Sequence, residues 1–122
     1  MRIGELAAKA GVSVRALRYY EEQGLLTAER SASGQRTYPD GAVDRVVLVQ
    51  QLYAAGLSSR RILELLPCVY TGHATPQTLA LLAAERDRID AQITGLAATR
   101  DRLDAVIAAA TASVTQARLP GR

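Results

Sequence analysis

The chain has 122 residues, with 15 Lys and Arg against 12 Asp and Glu and a net charge of +3. That length suits one compact domain, or a small domain with an extended element, and the mild positive excess permits nucleic acid without requiring it. A single cysteine, Cys68, excludes an internal disulfide framework and fits a reducing compartment. The opening MRIGELAAKAG lacks the apolar run of a secretory signal, and no segment is apolar for long enough to span a membrane, so a cytoplasmic protein is expected.

The first half is made of short periodic segments broken by Gly, Ser and Pro. Ile3, Leu6, Ala7 and Ala10 fall at helical spacing and Gly11 reads as a stop. Ser13 is a good N-cap for a second helix, with Val12 and Leu17 placed as a hydrophobic staple. Two helices joined by a turn of about three residues have helix-turn-helix spacing. On the second helix Arg15, Arg18, Tyr19 and Glu22 share one stripe, while Leu17 points to the core beside a partly buried Tyr20. A stripe built of donors and a tyrosine is of no use to a core and suits an external partner. Gly24 closes the helix.

The stretch LLTAERSASGQRTYP then reads as a small hairpin, with Leu26-Thr27-Ala28 and Arg36-Thr37-Tyr38 as arms and Ser-Ala-Ser-Gly as the tip. Two strands are marginal alone, so they are expected to lean on the helices as a wing. Asp40 is placed to cap a third helix through Val43, Val46, Val47, Gln50 and Ala54, which ends near Gly56. Ser58 is placed to cap a fourth, with Leu57 and Ile62 as its staple, Leu65 and Leu66 inward, and Pro67 as its end. Arg60 and Arg61 sit in the first turn of that helix, where cations oppose the macrodipole. They are either a solvated pair or a docking point for a phosphate.

PCVYTGHATP reads as a linker, after which Thr75 and Pro76 suit the cap and first position of a long helix. Leu79, Arg86, Ile93, Arg100, Ile107 and Val114 form one heptad series; Leu82, Ile89, Leu96, Leu103 and Ala110 form the other. About five heptads of this kind are a coiled-coil signal. A helix on the order of 50 Å long is more than the small first half could cover, so a homodimer is expected. ERDRIDAQI and TRDRLDAVI repeat 14 residues apart and set Arg86 and Arg100 at a positions, with Asp90 and Asp104 as helical partners. Antiparallel pairing keeps each arginine from facing its own copy, and Gly95 lets two helices cross closely.

The segments IGELAAKAGVSVRALRYYEEQGLL (3–26), GQRTYP (34–39) and LVQQLYAAGLSSRRILELL (48–66), followed by a long helix, resemble the MerR family of bacterial transcription regulators. The resemblance runs through about residue 114. It implies a mainly α fold: a winged helix-turn-helix DNA-binding domain over 1–70, a linker over 71–75 and an antiparallel coiled-coil dimerisation helix over 76–114. Residues 115–122 are expected as a disordered tail. By position, the resemblance makes Arg15, Arg18 and Tyr19 the contacts of a recognition helix in the major groove, and Arg36 and Tyr38 the wing contacts. Ser13 and Arg60 complete the expected DNA-binding set. The expected dimer seam is Leu79, Leu82, Ile89, Ile93, Leu96, Leu103 and Ile107. Such a dimer is expected to hold a pseudo-palindromic promoter site and to bend and untwist the spacer for RNA polymerase.

The chain departs from the metal-sensing and iron–sulfur relatives, because TASVTQARLPGR contains no cysteine. Cys68 and His73 are therefore not read as metal ligands, no cofactor is expected, and the effector stays unassigned. Neither a nucleophile–base pair nor a phosphate-cradling glycine loop is evident, so an enzyme is not expected. The residues alone also allow a coiled-coil adaptor whose head binds protein. Steep salt dependence of binding to duplex DNA separates the two readings.

Overall fold

The computed structural model describes residues 1–118, and these form five helices and one two-stranded sheet. The helices are α1 (Ile3–Ala10), α2 (Val14–Glu22), α3 (Ala42–Ala54), α4 (Ser59–Thr71) and α5 (Pro76–Arg118); strands β1 (Glu29–Arg30) and β2 (Arg36–Thr37) lie between α2 and α3. The chain divides into two units, Met1–Leu81 and a second that begins at Leu82.

In the first unit local chemistry sets the helix ends. Gly11 takes φ 72° to stop α1, a conformation that costs a residue with a Cβ more than it costs glycine. Ser13 Oγ accepts from the Ala16 amide at 3.0 Å and starts α2; Ser58 Oγ does the same for Arg61 at 3.1 Å and starts α4; Thr75 Oγ1 accepts from Thr78 at 3.1 Å. Between these ends α1 packs on α2 and α3, and α3 packs on α4. The most deeply buried side chains are Leu6, Leu17, Leu25, Tyr38, Val46, Val49, Ile62 and Leu66. Each such aliphatic side chain contributes roughly 1.5–3 kcal/mol by leaving water. This core fixes α2 with its donor stripe outward.

Four expectations need correction here. The hairpin pairs Glu29 with Thr37 and Arg30 with Arg36, so its first arm lies beyond Leu26-Thr27-Ala28. Leu25 and Leu26 are buried instead, and the ladder is left to polar residues that can face water. Asp40 does not cap α3 with its side chain: Gly41 stands at the cap without a side-chain bond, and only the Asp40 carbonyl accepts, from the Val43 amide at 3.3 Å. Pro67 does not end α4, which continues to Thr71 and stops at Gly72 with φ 69°. Leu63 and Pro67 are both exposed, so water can satisfy the Leu63 carbonyl that proline leaves without a donor. The proposed linker is thereby shortened.

The second unit is the body of α5. Leu82 and Ile89 are half-buried, whereas Ile93, Leu103 and Ile107 are exposed and Leu96 is 70% exposed. The helix runs to Arg118, so residues 115–118 are helical rather than a disordered tail, and 119–122 lie outside the described residues. Arg86 pairs with Asp87 at 3.1 Å and Arg100 with Asp101 at 3.4 Å, not with the expected Asp90 and Asp104. Both pairs are exposed and add little stability. Among the described residues no helix is long and apolar enough to cross a membrane.

Candidate nucleic-acid interface

The α2 stripe is exposed as its spacing demands. Arg15, Arg18, Tyr19 and Glu22 all face solvent, and among the described residues Arg15 and Arg18 have no hydrogen-bond or ion-pair partner. Their guanidinium groups are therefore free to donate. Tyr19 is 46% exposed, yet its ring is held: it meets Tyr20 edge-on at 6.4 Å between centroids and lies 6.5 Å from Tyr53. Its hydroxyl lies 3.5 Å from Ser59 Oγ, which also bonds the Tyr53 hydroxyl. Tyr20 stacks on Tyr53 at 5.7 Å beneath this arrangement, and burial pushes both of their hydroxyls up from the ordinary tyrosine range. The α2 stripe thus meets the start of α4 through a bonded aromatic cluster.

At that start, Arg60 and Arg61 both reach Glu64, at 3.7 and 2.8 Å. The Arg60 side chain is 91% exposed, so its hold on Glu64 is weak and it can turn to another anion. Ser13 remains exposed; its oxygen is engaged as a cap, which leaves its proton available to a further acceptor.

The wing tip closes through Ser31, whose amide donates to the Gln35 carbonyl at 2.8 Å and whose carbonyl accepts from Gly34 at 2.9 Å. Arg36 projects from β2 and donates to Glu21 Oε2 at 2.9 Å while staying largely in water. Tyr38 does not behave as expected. Only 2% of it is exposed, and its hydroxyl donates to Glu21 Oε1, so its ring belongs to the core and its proton is already engaged. Burial and then the Glu21 carboxylate push its hydroxyl up to about 12. Its backbone also pairs with the N-terminus: the Tyr38 amide donates to the Met1 carbonyl at 2.7 Å, and the Met1 amine to the Tyr38 carbonyl at 2.9 Å.

Two residues that the sequence reading passed over join this surface. Arg2 bonds the Gln35 side chain, and with Arg18, Arg36, Ile3 and Tyr38 these two line an open hollow of about 470 Å³. Three guanidinium-bearing residues border it and no carboxylate residue does, so it suits an anion. Arg2 precedes the first periodic position, so no helical pattern could have drawn attention to it. Glu21, next to the exposed Glu22 on α2, is withdrawn behind Arg36 and Tyr38, with its side chain 15% exposed.

On α5 the expected seam residues Leu79, Ile93, Leu96, Leu103 and Ile107 are exposed, and Leu82 and Ile89 are half-buried. Such a row, left open to water over several heptads, calls for an apolar partner.

Residues 1–67 match the profile described as "MerR HTH family regulatory protein". The chain belongs to this family. Among similar proteins, the HTH-type transcriptional regulator CueR from Bacillus subtilis (strain 168) is 34% identical over 96 residues, 78% of this chain and 67% of its own length. The nodulation protein NolA of Bradyrhizobium elkanii is 38% identical over 93 residues, which is 75% of this chain but only 40% of that protein. The chain therefore spans well under half of that longer relative. HiNmlR, a MerR family regulator lacking the sensor domain, was solved bound to promoter DNA; it matches with a TM-score of 0.79 at 27% identity, covering 93% of this chain and 92% of that one. The MerR-type head and long C-terminal helix of this protein are thus shared with a regulator that was caught on DNA.

Proposed function

We propose that this MerR-family chain is a homodimeric transcription regulator that acts by binding a pseudo-palindromic promoter site. The observation that supports it most directly is the exposed, partnerless pair Arg15 and Arg18 on α2, continuous with Arg2 and Arg36 beside the wing. In this reading Arg15 and Arg18 reach base edges, where a guanidinium can bond guanine through two atoms. Tyr19, Ser13, Arg36 and Arg60 hold phosphates and set the register, without reading sequence. The unpartnered apolar row of α5 supports pairing with a second copy, and the a-position arginines favour an antiparallel pair. Two heads at fixed separation then grip two half-sites, and distortion of the DNA between them is the step that lets RNA polymerase engage.

The test is selection of duplexes from random-sequence DNA by the purified protein, followed by hydroxyl-radical footprinting of the winners. Two symmetric protected half-sites are expected, with affinity that falls steeply as salt rises. Recovery of no duplex above the random background would sink the reading.

A further inference from the structure

Glu21 is an odd residue to find where this protein is to meet a polyanion. It stands in the last turn of the recognition helix, beside Arg18 and Arg36, and a carboxylate there repels phosphate. Its two oxygens are nonetheless fully assigned to the wing: Oε1 accepts from the Tyr38 hydroxyl and Oε2 from Arg36 at 2.9 Å. The side chain is 15% exposed against 59% for Arg36, so the acid lies inward and the arginine outward.

The wing has need of such a tie. Its ladder consists of two strands of two residues each, which is too little to stand alone. Apart from its own tip bonds, it is held by the Arg2–Gln35 side-chain bond, by the exchange of backbone bonds between Met1 and Tyr38 and by the burial of the Tyr38 ring. None of those reaches α2 through a polar bond. Glu21 does.

We propose that Glu21 is a positioning residue: it clamps β2 to the recognition helix, so that the wing and α2 meet DNA in one register. It touches no base and no phosphate itself. By holding Arg36 at the helix it fixes where that cation is presented, and by accepting from Tyr38 it satisfies a buried hydroxyl that would otherwise lose its only partner here. The consequence for DNA rests on the DNA-binding role proposed above, whereas the clamp itself can be tested on the free protein.

The variants are Glu21→Gln and Tyr38→Phe, each of which weakens one arm of the clamp and keeps the side-chain shape. In the free protein, amide exchange at Ser31, Gly34 and Tyr38 is expected to become about tenfold faster, while Leu17 and Val46 in the core stay unchanged. Unchanged exchange in the wing overturns the proposal, whatever the protein does with DNA. A general acceleration that includes the core also overturns it, since the role would then be stability alone.

On DNA, the probe is a duplex selected by the unaltered protein from a random pool, and backbone positions whose protection depends on Arg36 mark the reach of the wing. Glu21→Gln is expected to lose protection at those positions and retain it in the major groove facing α2, although the Arg36 charge is still present. Removal of a negative charge by itself has the opposite sign: it tightens binding and leaves the footprint intact, and that outcome overturns the proposal. Failure of the unaltered protein to select any duplex would count against DNA binding, while the exchange measurement still decides the clamp.

Discussion

The guanidinium carbon of Arg45 lies 4.6 Å from the centre of the Tyr70 ring, and the Nε of the same arginine donates to the Leu25 carbonyl at 2.9 Å. One side chain on α3 thus joins the segment after α2 to the last turn of α4. Arg45→Met keeps much of the stem and loses both interactions. A loss of about 1–2 kcal/mol is expected, from one hydrogen bond and one partly exposed cation–π contact. Urea unfolding measures it; an unchanged midpoint would show that the contact adds nothing.

Arg15→Ala is expected to weaken binding to a selected duplex by about 1–3 kcal/mol and to relax the base preference at one position of each half-site. Arg36→Ala should instead weaken binding to all sequences alike and reduce the salt slope. Competition titrations against random duplex at several salt concentrations separate the two. Equal losses on selected and random DNA for both variants would show that Arg15 reads no base.

Leu96 is 70% exposed in the single chain, and in the proposed seam it is buried against a second copy. Leu96→Asp would place an unpaired charge there, which a dry interface does not tolerate. Sedimentation is expected to show dimers of the unaltered protein and monomers or unfolded chains of the variant. A folded, monomeric unaltered protein would rule out the coiled coil.

Tyr38 holds its proton up to about pH 12, against an ordinary value of 10.0. Between those values the unfolded chain releases the proton and the folded protein keeps it, so stability is fully present below pH 10 and falls as pH rises toward 12. Tyr20, Tyr53 and Tyr70 are also shifted upward and slope the same way. Tyr38→Phe should therefore make the decline of Tm across this window shallower without abolishing it. An identical decline in the variant would mean that Tyr38 titrates normally.

Where a local rule decides structure, the residues could be read directly. Ser13, Ser58 and Thr75 cap their helices through their own side chains, and Gly11 and Gly72 stop theirs, because each bond closes within four residues. The donor stripe on α2 followed from helical periodicity once Leu17 faced inward. What stayed hidden depends on partners distant in sequence. Tyr38 resembles a wing contact until its hydroxyl finds Glu21, 17 residues earlier, and Arg2 gains meaning only beside Gln35, 33 residues later. The first wing strand starts later than the expected Leu26-Thr27-Ala28 arm because Leu26 is claimed by the core. At Pro67 the packing of α4 overrode a strong local stop signal.

That proline divides α4 into two lengths of unequal strength. Upstream, Ile62, Leu65 and Leu66 anchor the helix in the core; downstream, Val69 and Tyr70 are about half exposed, and the ladder lacks one rung. The turn from Cys68 to Thr71 therefore has little of the core packing that holds the rest of α4. Its tethers are the Arg45–Tyr70 contact and the Thr71 hydroxyl, which donates to the Pro67 carbonyl at 2.8 Å. Packing thus secures α4 only as far as Leu66, and the turn beyond the proline rests on those two side-chain contacts and its own backbone bonds.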